Sequence, residues 1–309
     1  MRNSRHNESL CGIAYAVALL VVLPSFVVCA QTPVTQGKTV AEIRAKAEAG
    51  DLKAQYDLGV VYENGVGVPE DQKEAAKWFH KAAEQGNARA QNELAAMYHT
   101  GRGVPQDDKE AQEWFRKAAE QGNARAQFNL GLMYSRDGVT RDYDEAAKWY
   151  RKAAEQGDAD AQHDLGIAYA SGLGVTKDLD EAVKWFRKAA EQDNADGEYE
   201  MGIAYIGGTS VPKDHGEAVK YFRKASEQGN SKAQFNLSVA YYTGDTVPKD
   251  LVEAFKWMSL SAAGGDGRAR NGLQTIESAM TADQIVKAKR LASEFVPREA
   301  PKESGVGSK

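Results

Sequence analysis

The chain has 309 residues, with 39 lysines and arginines against 44 aspartates and glutamates, for a formal net charge of −5. That balance excludes the basic stripe that a nucleic-acid binder needs, so no nucleic acid is expected among its partners. Both cysteines, Cys11 and Cys29, lie among the first thirty residues, so the remainder forms no disulfide and must be held by packing alone.

The N-terminus has three parts. Arg2 and Arg5 give a positive start, Ile13 to Leu23 is an unbroken apolar run, and Val28-Cys29-Ala30 ends in small residues after Pro24 and Ser25. This is the layout of a secretory signal peptide, and cleavage is expected after Ala30. An uncleaved anchor is the rival, but the run is short of the roughly 18–20 apolar residues that span a bilayer. Lipid attachment at Cys29 is a weaker rival, since Phe26-Val27-Val28 lacks the usual Leu-small-small lead-in. The expected location is therefore outside the cytoplasm, periplasmic or secreted, with no stable membrane anchor after cleavage.

Residues 31–39 form a polar lead, and 40–51 read as a capping helix closed by Gly50, like the second half of a repeat without its first half. From residue 52 to 266 one pattern then recurs six times. Its leading alanine, Ala54, returns as Ala90, Ala126 and Ala161, is replaced by Gly197, and returns at Ala233 and Ala269, a period of 35 or 36 residues. Such a period marks a stacked repeat array.

Each copy predicts a helix pair. Ala54, Leu58 and Tyr62 share one face of a first helix, with a small residue, Gly59, beside the leucine. A Gly/Pro loop follows, in which Val68 and its counterparts Val104, Val139, Val175, Val211 and Val247 are expected to plug the core. The second helix opens on Asp71 with Glu74 three residues on, and the pair returns in every copy. It reads as a capping box, with the aspartate accepting from first-turn N–H groups and the glutamate reaching back to the cap residue's own N–H. Six repeated carboxylate pairs are helix starts rather than six acid/base sites. Trp78 and Phe79 and their counterparts are the large core residues. Gly86, Gly122, Gly157, Gly229 and Gly265 are expected to end these helices in the left-handed conformation. Asp193 replaces that glycine in copy four, where a looser cap is expected. Ser210 and Thr246 replace the second loop glycine in copies five and six, where different loop shapes are expected.

The pattern A-x-x-x-L-G-x-x-Y, G-x-G-V-P-x-D and E-A-x-x-W-F-x-K-A-A-x-Q-G resembles the Sel-one-like repeat family, which is related to tetratricopeptide repeats. The resemblance implies an all-α superhelical solenoid whose first helices line a concave face, and an adaptor that holds other proteins. Some members of the family bind penicillin or act as weak β-lactamases. These carry paired cysteines in each repeat, which this chain lacks, so that activity is not carried over. After Asp266 the repeat fades into C-terminal capping helices over 267–296, opened by a second capping box at Thr281 and Gln284, and a polar tail over 297–309 is expected to be disordered.

Catalytic signatures are nearly absent. Ser210-Val211-Pro212-Lys213 matches S-x-x-K, but in a loop and with no S-D-N or K-T-G partner. His80, His99, His163 and His215 fall at four different repeat positions, which gives no metal-ligand spacing. Asp158, Asp160 and Asp164 lack the glycine and distal glutamate of a calcium loop. No catalytic, metal or cofactor site is expected, and the chain is read as non-enzymatic.

One stripe remains as a candidate partner-binding site: Tyr56, Asn92, Phe128, His163, Tyr199 and Phe235, two residues before each core leucine. It shares a face with Val60 and Glu63. Its rings suit gripping a protein or peptide, or else they pack on the adjacent repeat. Beside them run Lys53, Arg89, Arg125, Asp160, Asp196 and Lys232, whose alternating sign suits orienting a partner. The expectation is an exported monomeric adaptor. The alternatives are a cell-envelope ligand-binding protein or weak β-lactamase-like enzyme, and a secreted host-interaction factor.

Overall fold

The computed structural model describes residues 39–136 and 141–298. The expected signal peptide, most of the polar lead and tail, and Val139 lie outside those residues. Within them are fifteen helices and no strand. The first, α1 (Val40–Glu48), precedes six pairs. The pairs are α2 (Leu52–Asn64) and α3 (Gln72–Glu84), α4 (Ala88–Thr100) and α5 (Asp108–Glu120), and α6 (Ala124–Ser135) and α7 (Tyr143–Glu155). They continue as α8 (Ala159–Ser171) and α9 (Leu179–Glu191), α10 (Ala195–Gly207) and α11 (His215–Glu227), and α12 (Ser231–Thr243) and α13 (Leu251–Ala263). Two final helices, α14 (Ala269–Ser278) and α15 (Ala282–Ser293), close the array, and both pack on α13. Each helix of the array packs on the next in the chain, which is an all-α solenoid.

The cores lie across the junctions. One cluster joins Phe79 of copy one to Leu94, Trp114 and Phe115 of copy two, and another joins Phe128 and Tyr150 of copy three to Leu165 and Trp185 of copy four. A copy therefore buries little by itself, and stacking completes it. The end caps supply the missing halves. Ile43 and Ala47 of α1 pack with Leu58 and Trp78, and Ile276 and Ala288 pack with Phe255 and Met258. Val68, Val104, Val211 and Val247 each pack against an apolar cluster, as their fixed place in the loop predicts, while Val175 is half-buried and belongs to none of the clusters.

The small residue of the first helix makes room for a ring. A Cβ on Gly59 would stand 2.6 Å from Phe79, one on Gly131 2.7 Å from Tyr150, and one on Gly166 2.5 Å from Phe186. No neighbour tolerates that approach, so glycine here sets how closely the two helices of a copy meet.

The capping box is only half formed. The aspartate accepts from first-turn N–H groups in all six copies, as Asp71 does from Lys73 and Glu74. The glutamate does not reach back, because the cap residue's own N–H already donates to the carbonyl of the tyrosine that ends the first-helix core face: Asp71 to Tyr62, Asp107 to Tyr98, Asp178 to Tyr169. Glu74 instead pairs with Lys77, and Glu145, Glu181, Glu217 and Glu253 pair likewise with the lysine three residues on. Complete boxes stand at the two end caps, Thr39 with Glu42 and Thr281 with Gln284.

Asp193 does not give a looser cap. It adopts the left-handed conformation, φ 57°, and its N–H bonds Ala190 as the glycines bond theirs. An L-residue there costs roughly 1–2 kcal/mol. Ser210 likewise takes φ 55° and preserves its loop, whereas Thr246 does not adopt a positive φ.

A polar ladder runs through the junctions beside the apolar cores. Buried Gln55, Gln91, Gln127, Gln162 and Gln234 each donate Nε2 to a carbonyl of the preceding second helix, respectively Ala47 (of α1), Ala83, Ala119, Ala154 and Ser226. The first four also accept at Oε1 from Gln85, Gln121, Gln156 and Gln192, which cap the second helices of the same copies. Each of these four amides is thereby bonded at both its Nε2 and its Oε1 and ties its copy to the helix before it.

Candidate partner-binding face

The predicted stripe occupies one position on each of α2, α4, α6, α8, α10 and α12. Four of its rings meet a ring of the second helix of their own copy. Tyr56 meets Phe79 at 5.7 Å between centroids, Phe128 meets Tyr150 at 5.9 Å, His163 meets Phe186 at 5.9 Å, and Tyr199 meets Phe222 at 6.0 Å. The ring beneath is the one that enters the gap left by the glycine. The stripe ring thus roofs it, with a degree of exposure that differs from copy to copy. Asn92 and Phe128 are buried, while Tyr56, His163, Tyr199 and Phe235 are half-buried.

Contacts between successive copies join these positions into one surface. Asn129 donates to Asn92 at 3.1 Å, Arg102 pairs with Glu63 at 3.4 Å, and Arg125 bonds Asp160 at 2.8 Å. Further along, Lys232 lies 5.8 Å over the Tyr199 ring and Arg268 lies 4.2 Å over Phe235. Asn194 and Asn230 bond Asp160 and Asp196. Of the alternating charges, Arg125, Asp160, Asp196 and Lys232 are therefore engaged sideways with a neighbouring copy, which holds the face in register.

Two polar clusters sit on it. In the first, burial pushes the Glu93 carboxyl up to about 7, helped by the Glu63 charge and opposed by the Asn92 hydrogen bond, Arg102 and Arg125. In the second, burial opposes a charge on His163, but the Asp164 hydrogen bond and the charges of Asp164, Asp196 and Glu200 outweigh it and raise its affinity for a proton. Burial also raises Glu200, against the pull of His163 and Lys232.

Aliphatic side chains were missed as candidates. Ile167 and Val239, one turn beyond the stripe, and Ile206, two turns beyond, are each 38% exposed. Their signal was present in the spacing, since stripe position plus four and plus seven share its face. Near the C-terminal end, Phe235, Val239, Tyr242, Met258 and Ile276 line a shallow cleft of about 180 Å³ with Arg268 at its edge.

No site of another kind assembles from the predicted candidates. Ser210 stays in its loop between α10 and α11. His80 meets Trp114 edge-on, His99 bonds Asp108 at 2.7 Å, and Asp158 caps α8. Among the described residues no three His, Cys, Asp or Glu side chains are grouped to hold a metal ion, and no helix is long and apolar enough to cross a membrane.

The fold and this face define a helix-pair repeat solenoid with a laterally stitched first-helix surface. The Sel1 repeat model matches six times, at 52–87, 88–123, 124–158, 159–194, 195–230 and 231–266, and the chain belongs to the Sel1 repeat family. Such proteins are generally protein-interaction scaffolds, and those of this fold are typically non-catalytic. Among solved structures, the chain is similar to c5321, described as a protective antigen present in uropathogenic Escherichia coli strains displaying an SLR fold. It shares 35% identity with that protein at a TM-score of 0.78, over 85% of this chain and 56% of that one. The chain thus spans little more than half of that protein's length. It is also similar to a Sel1 repeat protein from Oxalobacter formigenes, with 32% identity and a TM-score of 0.65 over 72% of this chain and 94% of that one. No curated protein matches the chain.

Proposed function

We propose that this protein is an exported, non-enzymatic adaptor that binds a protein or peptide along the first-helix face, which forms the wall of a concave groove. The carrying observation is the line of exposed Ile167, Ile206 and Val239 beside the half-buried rings of Tyr199 and Phe235. Aliphatic groups in line with aromatic anchors give affinity on burial, about 25 cal/mol per Å² of apolar area, and the flanking charges give selectivity. Export rests on the three-part N-terminus, and likeness to a protein described as a protective antigen supports it.

The test is affinity capture from the producing cell's envelope and external medium, using wild type and a variant with Ile167→Asp, Ile206→Asp and Val239→Asp. These side chains are exposed, so the variant should keep its helical circular dichroism. A partner captured by wild type and lost by the variant supports the reading. A partner held equally by both removes this face as the binding site.

A further inference from the structure

The polar ladder is broken at one rung. In the register of Gln55, Gln91, Gln127, Gln162 and Gln234, copy five carries Glu198. The residue is fully buried on α10. Gln228 donates to its Oε2 at 2.8 Å, as the sister glutamines do to theirs. Its Oε1 has no hydrogen-bond partner. By register this is the atom that should donate to the carbonyl of Ala190 on α9, eight residues back, and an ionised carboxylate has no proton to give.

The surroundings have changed with it. In copies one to four a lysine lies over the tryptophan of the second helix, as Lys81 over Trp78 at 4.0 Å and Lys188 over Trp185 at 3.8 Å. Copy five has Tyr221 in place of the tryptophan, and Lys224 comes to 4.0 Å from the orphaned Oε1. The other charges facing the site are Asp193, in the link between α9 and α10, and Arg298, beyond α15, which pair at 3.7 Å. Arg298 is held there by its N–H, which donates to Glu227 on α11 at 2.7 Å.

We propose that the junction between copies four and five is a proton-controlled joint, which Glu198 locks when protonated and loosens when ionised. The neutral acid donates to the Ala190 carbonyl and completes the ladder. The carboxylate sets two acceptors against each other inside the junction, with a partly exposed lysine as its nearest compensation. Burial moves the Glu198 carboxyl up to about 7, with Asp193 adding to the rise and Lys224, Arg298 and Gln228 opposing it. The change therefore falls in a range that an exported protein meets. The sign follows from linkage. A carboxyl raised on folding contributes stability that is complete below its unfolded value, near 4.5, and is lost as pH rises through about 7. No partner is needed for this behaviour.

The experiment compares wild type with Glu198→Gln, the residue that five sister copies carry, by thermal unfolding at pH 5.5 and 8.5. The variant's Tm should match wild type at the lower pH and exceed it by about 4 °C or more at the higher. Amide exchange over residues 189–200, corrected for intrinsic rate, should quicken at high pH in wild type and not in the variant. An equal Tm difference at both pH values, or a variant less stable than wild type at pH 8.5, overturns the joint, the latter by showing that Lys224 holds the ionised form. Should the variant fail to fold, carboxyl 13C titration of wild type decides. A Glu198 midpoint above about 5.5 supports the joint, and one below overturns it.

Discussion

Phe128 and Phe235 occupy the same position in copies three and six, yet they serve their surroundings differently. Phe128 is 6% exposed, packed on Tyr150 in the core between copies three and four. Phe235 is half-buried at the rim of a cleft that opens beside exposed Val239. The difference extends along the whole face. Copies one to three close it with polar contacts, Arg102 to Glu63 and Asn129 to Asn92, and Val60 is buried there. In copies four to six, Ile167, Ile206 and Val239 remain open. Stacking demands the leucine, the small residue and the second-helix ring in every copy, so these vary little along the array. The outward half of the first helix carries no such demand, and one end of it is free to present apolar surface.

Paired truncation is the strongest way to break this contrast. Phe128→Ala should cost about 3 kcal/mol of stability, as loss of a buried ring does, while Phe235→Ala should cost about 1 kcal/mol and weaken partner capture. Urea midpoints and capture yields measure both. Equal destabilisation by the two would show that the C-terminal half of the face is core as well.

The polar half has a pH signature of its own. Glu93 is raised to about 7 by burial and the nearby Glu63 charge, so it contributes stability that is complete below its unfolded value, near 4.5, and lost as pH rises through about 7. Glu93→Gln should therefore gain on wild type by about 2 kcal/mol at pH 8.5, after allowance for screening, and by little at pH 5. A pH-independent difference in urea midpoint would show that Glu93 titrates normally and that this cluster is open to water.

Most of the scaffold was legible because repetition separates signal from accident. Leu58, Tyr62, Asp71 and Gly86 each recur at one phase, and each does locally what its chemistry predicts. The failures share a cause, which is a partner distant in sequence. Glu74 was free to bind Lys77 only because Tyr62, nine residues before Asp71, had taken the cap N–H. The sequence offers the next repeat as the packing partner of the stripe rings, whereas the gap at Gly59 admits Phe79 of the same copy beneath Tyr56. That pairing of a glycine at one phase with a ring twenty residues on could have been read from the repeat. Glu198 among the ladder glutamines was equally visible in register, but its meaning required the Ala190 carbonyl that the fold brings opposite.

Arg125 marks the boundary between the two halves, and it gives the smallest and most discriminating prediction. Its guanidinium lies 4.9 Å over the Phe128 ring of copy three, bonds Asp160 of copy four at 2.8 Å, and stands 3.7 Å from the buried Asp158 that caps α8. It also lowers the proton affinity of Glu93 on the other side. An exposed ion pair alone is worth little, about 0–1 kcal/mol, but a charge that covers a ring and faces a buried carboxylate does more. Arg125→Ala should cost about 1 kcal/mol at low salt, and Arg125→Lys, which keeps the charge but loses the planar fork, should recover less than half of it. The urea midpoint of Arg125→Ala should also fall further from pH 5 to pH 8.5 than that of wild type, because Glu93 then titrates higher. Full recovery by lysine would reduce Arg125 to a point charge. The polar half of the face would then be held by field alone, and the stacked guanidinium would no longer distinguish it from the apolar half.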